Sequence, residues 1–125
     1  MANAPAAFCN RSLTTHRLYR LNSASELNAD FLHRAAQCWS SGRHYPHLVV
    51  VVATRFARTA SRYASIAYRT TVLDAGIALE AMYRNAAAMG IAPCALGINL
   101  PELFARMTGL DSYEETPLAL FALSA

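Results

Sequence analysis

The sequence contains no lysine, and only 15 % of its 125 residues are charged. The eleven cations are therefore all arginines; they are scattered along the chain, so no basic run indicates a nucleic-acid interface. The net charge is only +3, and hydrophobic residues make up 54 %. That combination excludes an intrinsically disordered chain, which needs low hydrophobicity and high charge.

Cysteine, glycine and proline are also scarce. Cys9, Cys38 and Cys94 are an odd number at wide spacing, which argues against a disulfide framework and favours a reducing compartment. The apolar run 48–53 is far shorter than the roughly 20 residues of a membrane span. The first residues lack the basic and apolar regions of a signal peptide. We therefore expect a soluble, cytoplasmic protein with no membrane partner.

Length and hydropathy limit the number of domains and indicate that apolar surface stays exposed. The 125 residues allow one domain, and the mean hydropathy of +0.19 is high for a small monomer. A domain of this size buries only about two thirds of its unfolded surface. Apolar surface should thus remain for a cofactor, a partner or a second copy. We predict a flexible leader over residues 1–15 and a single domain over 16–125.

Hydrophobic periodicity predicts a mixed α/β domain with three or four strands and three helices. The predicted helices cover 26–39, 69–89 and 100–108, and the predicted strands cover 18–21, 48–53, 92–96 and 117–123. The continuous β-branched run 48–53 indicates a strand buried on both faces. Residues 54–63 are predicted as a polar connection with at most a helical turn.

The predicted long helix is apolar nearly all round, which is typical of a helix buried in a core or at a subunit interface. Gly76 lies inside it, where glycine costs about 1 kcal/mol relative to alanine. Close approach of another backbone or of a flat ligand would account for a glycine at this position.

Four arginines follow the 48–53 strand at helical intervals of three, four and seven residues: Arg55, Arg58, Arg62 and Arg69. On a helix they share one face, which can hold an anionic group such as a phosphate; a solvated or interface face is the alternative. Tyr63 and Tyr68 add hydroxyl groups beside them, which are normally protonated because the unperturbed pKa of tyrosine is about 10.

Cys38, His44 and His47 have a spacing that zinc can use. No second cysteine lies near them, so we interpret them as ordinary loop residues and predict no metal site. The sequence also has no P-loop, no G-x-G-x-x-G and no G-x-S-x-G motif, which argues against the common nucleotide-binding and hydrolase sites.

Two stretches carry a family resemblance: R-Y-A-S-I-A-Y-R-T-T-V-L-D-A-G at 62–76 and A-A-A-M-G-I-A-P-C-A-L-G at 86–97. They resemble the second half of the nitroreductase-like flavoproteins, in particular the SagB-type dehydrogenases, which include azoline oxidases of peptide natural-product pathways. The resemblance implies a half-length α+β nitroreductase-like fold, with a central mixed sheet and a long buried helix. It also implies FMN binding, usually at the interface of a dimer.

The same resemblance assigns candidate site residues. Azoline oxidases carry a Lys-Tyr pair that is implicated in proton removal, and the matching positions here are Arg62 and Tyr63. Arginine stays protonated, so only Tyr63 can transfer a proton. The candidate cofactor-binding residues are Arg55, Arg69, Gly90, Ala92, Cys94 and Gly97.

The sequence departs from the family pattern in three respects. Ile77 replaces the histidine that usually follows the helix glycine, and Ile98-Asn99 replace a second glycine. The Arg-rich phosphate motif of the family's N-terminal half has no counterpart beyond the faint echo Asn10-Arg11-Ser12.

We therefore carry two functional hypotheses. The first is an FMN-dependent oxidoreductase acting on an azoline or another peptide-derived ring or small molecule. Its flavin site would be completed by a second chain, in a homodimer or in a hetero-complex with a flavoprotein or biosynthetic enzyme. The alternative is a non-catalytic, degenerate subunit or scaffold that binds a biosynthetic partner protein; the departures favour this alternative.

Overall fold

The computed structural model describes residues 7–12, 14–22 and 26–125 of the chain. In chain order the elements are β1 (Phe8–Arg11), β2 (Leu18–Asn22), α1 (Glu26–Ser40), β3 (Leu48–Thr54), α2 (Phe56–Tyr63), a 3-10 turn (Ala64–Ile66), α3 (Ala67–Ala88), β4 (Ala92–Leu96), α4 (Pro101–Thr108) and β5 (Thr116–Ser124).

The central sheet has three antiparallel strands in the order β3-β5-β4. The last strand of the chain is therefore the middle one, with Phe121 opposite Val50 on one side and opposite Ala95 on the other. Strands β1 and β2 form a separate antiparallel hairpin. Because β5 is flanked on both sides, it carries the most deeply buried residues of the sheet.

Helices cover both faces of this sheet. Successive β5 side chains alternate between the faces. Leu120 and Ala122 join Phe31 and Leu103 in a cluster with α1 and α4. Phe121 points the other way, and its ring packs edge-to-face on Tyr83 of α3 with a centroid distance of 4.9 Å. The domain is thus a three-layer arrangement of helices, sheet and helix.

Helix α3 ends at a glycine stop signal. Gly90 has φ +66°, a left-handed conformation that glycine adopts without steric cost. The N–H of Ile91 donates to the carbonyl of Ala86 at 2.9 Å, which satisfies one of the last helix carbonyls. The chain then reverses into β4, so α3 and β4 lie against each other.

The predicted class, helices packed on a central sheet, is confirmed, but the sheet was expected to be mixed and its three strands are antiparallel, because the last strand of the chain inserts between β3 and β4. All seven predicted elements are present within two residues of their predicted ends. The structure adds α2, which the sequence analysis treated as a connection, and β1, which lies inside the segment predicted as a leader. Strand β1 is short and pairs only with β2. Its sequence therefore shows too little alternation of apolar and polar residues to predict a strand.

Two burial predictions are wrong. The 48–53 strand was expected to be buried on both faces, but in the described part of the chain β3 pairs with β5 alone, and residues 49–52 are only half-buried. The long helix was expected to be buried, yet Leu73 is 54 % and Ile77 68 % exposed. The reason is the same for both: this chain supplies neighbours for one side of each element only.

No helix in the described ranges is long and apolar enough to cross a membrane.

Candidate functional site

The site is anchored by Arg55, which lies between β3 and α2 at one end of the sheet. Its Nε donates to Oε2 of Glu115 at 2.7 Å, and the two side chains are 48 % and 19 % exposed. The hydrogen bond to Glu115, followed by the coulombic attraction of that carboxylate, raises the pKa of Arg55. Arg55 thus stays charged, and the contact uses only one of its donor nitrogens.

The other three arginines of the predicted basic face are exposed. Arg58 and Arg62 lie on α2, and Arg69 lies in the first turn of α3. Within residues 7–12, 14–22 and 26–125, none of the three forms an ion pair. Helices α2 and α3 contact each other, so the three residues lie on adjacent elements at one corner of the molecule. Their planar donors suit a phosphate or a carboxylate.

Tyr63 ends α2 and is 47 % exposed. The following residue, Ala64, has φ +45°, a conformation that is unfavourable for a residue with a side chain. Strained backbone of this kind is concentrated at functional sites. The strained residue Ala64 lies directly after the candidate pair Arg62 and Tyr63.

Two buried oxygens have no hydrogen-bond partner in the described part of the chain: Oγ1 of Thr71 on α3 and Oδ1 of Asn99. The amide of Asn99 donates to the carbonyl of Pro117, which places Asn99 near the β5 end that carries Glu115. Buried polar atoms without partners are rare in native proteins, and such atoms point to a bound ligand or water. Beside Asn99, a Cβ added to Gly97 would meet nothing within 4 Å. These residues therefore fit part of a polar cofactor site.

The remaining predicted cofactor residues are distributed along β4 and do not all meet this corner. Ala92 pairs with Ser124, at the sheet end opposite to Arg55. Gly90 follows the C-terminus of α3, about 30 Å from Arg69 at the helical rise of 1.5 Å per residue. Cys94 is half-buried within β4, with a weak 3.5 Å contact from Sγ to the carbonyl of Ala95. The roles assigned to all of these residues remain predictions.

Tyr83 and Glu115 were missed by the sequence analysis. The hydroxyl of Tyr83 accepts the N–H of Ala95 at 2.8 Å, so Tyr83 sets the position of α3 over β4. Glu115 holds Arg55 across 60 residues of sequence. No local spacing indicates either contact, because both partners meet only when the sheet has formed.

The predicted absence of a metal site stays a prediction. Within the described residues, no group of three His, Cys, Asp or Glu side chains is placed to hold a metal ion. His44 and His47 line a cleft that does not include Cys38.

Comparison with known proteins identifies the family. The sequence model of the nitroreductase family matches residues 2–123. The chain belongs to the nitroreductase family. Members of this family generally bind flavin. A comparison with curated protein sequences finds no match.

Among solved structures, the fold of this family member is similar to a chain in the Escherichia coli microcin synthetase McbBCD complex with truncated pro-MccB17 bound. The TM-score is 0.76 at 19 % sequence identity. The match covers 98 % of this chain and 46 % of the other, so this chain spans less than half of the length of that relative.

Proposed function

We propose that this chain is part of an FMN-dependent oxidoreductase whose flavin site is completed by a second chain. The observation that carries the proposal is the exposed arginine-rich corner, where Glu115 contacts only Nε of Arg55 and leaves its terminal nitrogens available next to the exposed arginines of α2. Membership of a flavin-binding family supports it. The half-length match supports a flavin site that a second chain completes.

In this proposal, the two terminal nitrogens of Arg55 bind the cofactor phosphate, while Arg69, which the resemblance also assigned to the cofactor, is placed instead in the contact between the two chains. Bidentate hydrogen bonds from guanidinium groups suit phosphate oxygens. Glu115 orients Arg55 through Nε and leaves its other donors for the ligand. Thr71 and Asn99 accept hydrogen bonds from the polar edge of the cofactor. The β4 positions Gly90, Ala92, Cys94 and Gly97 remain assigned to the flavin's surroundings on the resemblance alone.

When bound, the flavin supplies the two-electron oxidation, and the protein positions the substrate and moves protons. Tyr63 is the proposed proton-transfer residue because its hydroxyl is exposed at this corner. Arg62 cannot act as a base, since it stays protonated. Its proposed role is to attract an anionic group of the substrate.

We propose a peptide-derived ring, such as an azoline, as the substrate class. The structural relative comes from a microcin synthetase complex with a peptide bound, and the sequence resembles the azoline-oxidase branch. The proposed partner is a second copy or a biosynthetic enzyme.

The proposed contact surface for the second chain is the α3 stripe, defined as Arg69, Leu73, Ile77 and Glu80. These residues are spaced by four, four and three positions, so they lie on one helix face, and all four are exposed. In an antiparallel pair of α3 helices crossing near residue 75, Leu73 faces Ile77 of the second copy and Arg69 faces its Glu80. A stripe that is complementary to itself suits a two-fold interface.

Gly76 supports this arrangement. It is exposed on the same face, and a Cβ added there would meet nothing within 4 Å in its own chain. Its cost of about 1 kcal/mol to the helix is explained if another backbone approaches closely at the crossing point.

A scaffold without catalysis is the second candidate. Arg62 where azoline oxidases carry lysine, and Ile77 where the branch carries histidine, are the observations that favour it. Flavin retention separates the two candidates. We expect the purified protein, saturated with FMN and freed of excess, to keep a near-stoichiometric flavin absorbance band; a colourless protein would leave the scaffold as the function.

Tyr63→Phe tests the proposed mechanism. We expect turnover of a thiazoline-containing dipeptide to fall about 10²–10⁴-fold, the range for loss of a general acid–base group, while the flavin content is unchanged. Tyr19→Phe, at an exposed tyrosine of the separate β1–β2 hairpin, should leave turnover unchanged. Equal turnover of the wild type and Tyr63→Phe would remove Tyr63 from the mechanism.

A further inference from the structure

A cleft of about 540 Å³ lies at the sheet end opposite to Arg55, where β3 begins and β5 ends. Small-molecule sites usually measure about 300–1,000 Å³. The cleft contains none of the residues assigned to the flavin. Its lining consists of Trp39, Arg43, His44, Tyr45, His47 and Ser124.

The lining has one sign of charge. Arg43 is a permanent cation, and His44 and His47 offer imidazole donors, while no Asp or Glu side chain takes part. The rings of Trp39 and Tyr45 supply flat apolar surface. A ligand that suits both features combines an anionic group with a planar apolar body, because charge-assisted hydrogen bonds hold the first and ring contacts the second.

The loop that carries these residues is held in one conformation. Oγ of Ser40 accepts the N–H of His44 at 2.9 Å and donates to its carbonyl at 2.7 Å. Gly42 has φ +77°, and its N–H donates to the carbonyl of Ala36 at 3.0 Å. The positive φ favours glycine here, because other residues adopt this conformation only with strain. Such preorganisation lowers the ordering cost of binding a ligand.

Two of the lining side chains are oriented by contacts behind them. The N–H of Ala125 donates to Nδ1 of His47 at 3.3 Å, so Nδ1 is an acceptor and the ring proton lies on Nε2. His47 therefore keeps one donor for a ligand. The hydroxyl of Tyr45 is 3.0 Å from Nδ1 of His33, which fixes the Tyr45 ring from outside the cleft.

We propose that this cleft binds a small organic carboxylate with a flat apolar body. Arg43 and Nε2 of His47 bind the carboxylate, and the planar part packs on Trp39 and Tyr45. The site is independent of the proposed flavin chemistry. It gives a function to the histidine-containing loop that metal binding does not explain.

Trp39 provides the readout, because it is the one tryptophan of the chain and lines the cleft. The probes are benzoate, its neutral isostere benzamide, and inorganic phosphate. We expect benzoate to change the Trp39 fluorescence saturably, with at least tenfold weaker binding of benzamide and of phosphate. No saturable response to benzoate, or equal affinity for benzamide, would overturn the proposal. Phosphate binding as tight as benzoate binding would show that the cleft recognises an anion alone. It would overturn the proposal that the ligand has a flat apolar body.

The matched variants are Arg43→Gln and Arg34→Gln. Arg34 is an exposed arginine of α1 that pairs with Asp30 and does not line the cleft. We expect Arg43→Gln to weaken benzoate binding about tenfold and Arg34→Gln to leave it unchanged, with circular dichroism showing that both variants fold. Unchanged affinity in Arg43→Gln, or equal losses in both variants, would contradict the assignment.

Discussion

Replacing Phe121 with alanine is expected to lower the free energy of unfolding by about 3–5 kcal/mol, the usual cost of removing a buried aromatic ring. Phe121 is fully buried in the middle strand of the sheet, and its ring packs edge-to-face on Tyr83 at 4.9 Å. The variant loses this ring contact and leaves a cavity between α3 and the sheet. Since small domains are stable by only about 5–15 kcal/mol, urea unfolding followed by circular dichroism should show a large shift of the midpoint.

Two milder variants calibrate this result. Tyr83→Phe keeps the ring on Phe121 and removes only the hydrogen bond from the Ala95 N–H, so we expect a loss of about 0.5–1.5 kcal/mol. Leu18→Ala, at a side chain that is 73 % exposed, should change stability by less than about 0.5 kcal/mol. A cost for Phe121→Ala no larger than that of Tyr83→Phe would show that the α3–sheet contact is not a main source of stability.

Reversing one charge on the α3 stripe is expected to abolish self-association. In the antiparallel arrangement proposed above, Glu80→Arg places cation against cation at both symmetric contacts, and Arg69→Glu does the same with two anions. Like charges in contact across an interface cost several kcal/mol. Light scattering should give twice 13.6 kDa for the wild type and 13.6 kDa for each single variant.

The double variant Arg69→Glu, Glu80→Arg restores opposite charges in swapped positions. We expect it to recover the dimer mass, which a merely destabilised helix would not do. Arg106→Glu on α4 is the control, since it changes the charge equally but lies in the layer on the other face of the sheet. A monomeric wild type, or a double variant that stays monomeric, would rule out this register. The measurement needs no flavin, so its failure leaves the cofactor proposal to be judged by flavin retention.

Local signals predicted most of the elements. Apolar residues at helical spacing marked α1, and Gly90 marked the end of α3, because a left-handed C-terminal residue favours glycine. The run of β-branched residues predicted β3, because β-branched side chains pack well on the pleated surface of a strand. The arginine spacing in 55–69 contained the signal for α2, since a shared face at these intervals exists only on a helix.

The candidate site was predictable only by residue type. The arginines and Tyr63 were predicted as a group able to bind an anion and carry a proton, and the structure places them just before α2, on α2 and at the start of α3. The partner of Arg55 was not predictable, because Glu115 comes from the far end of the chain. The unpartnered oxygens of Thr71 and Asn99 could not be predicted either, since burial without a hydrogen-bond partner is a property of the assembled fold.

The sequence by itself therefore determined most of the secondary structure, the mixed α/β class and the family, because these depend on propensities, turns and short motifs within tens of residues. Only the tertiary structure decided which strand lies in the middle, which faces of α3 and β3 stay open, and which residues meet Arg55. Those outcomes depend on contacts between distant segments. A hydrophobic pattern shows that a surface must be covered, but only the packed chain shows how much of it this chain leaves for a neighbour.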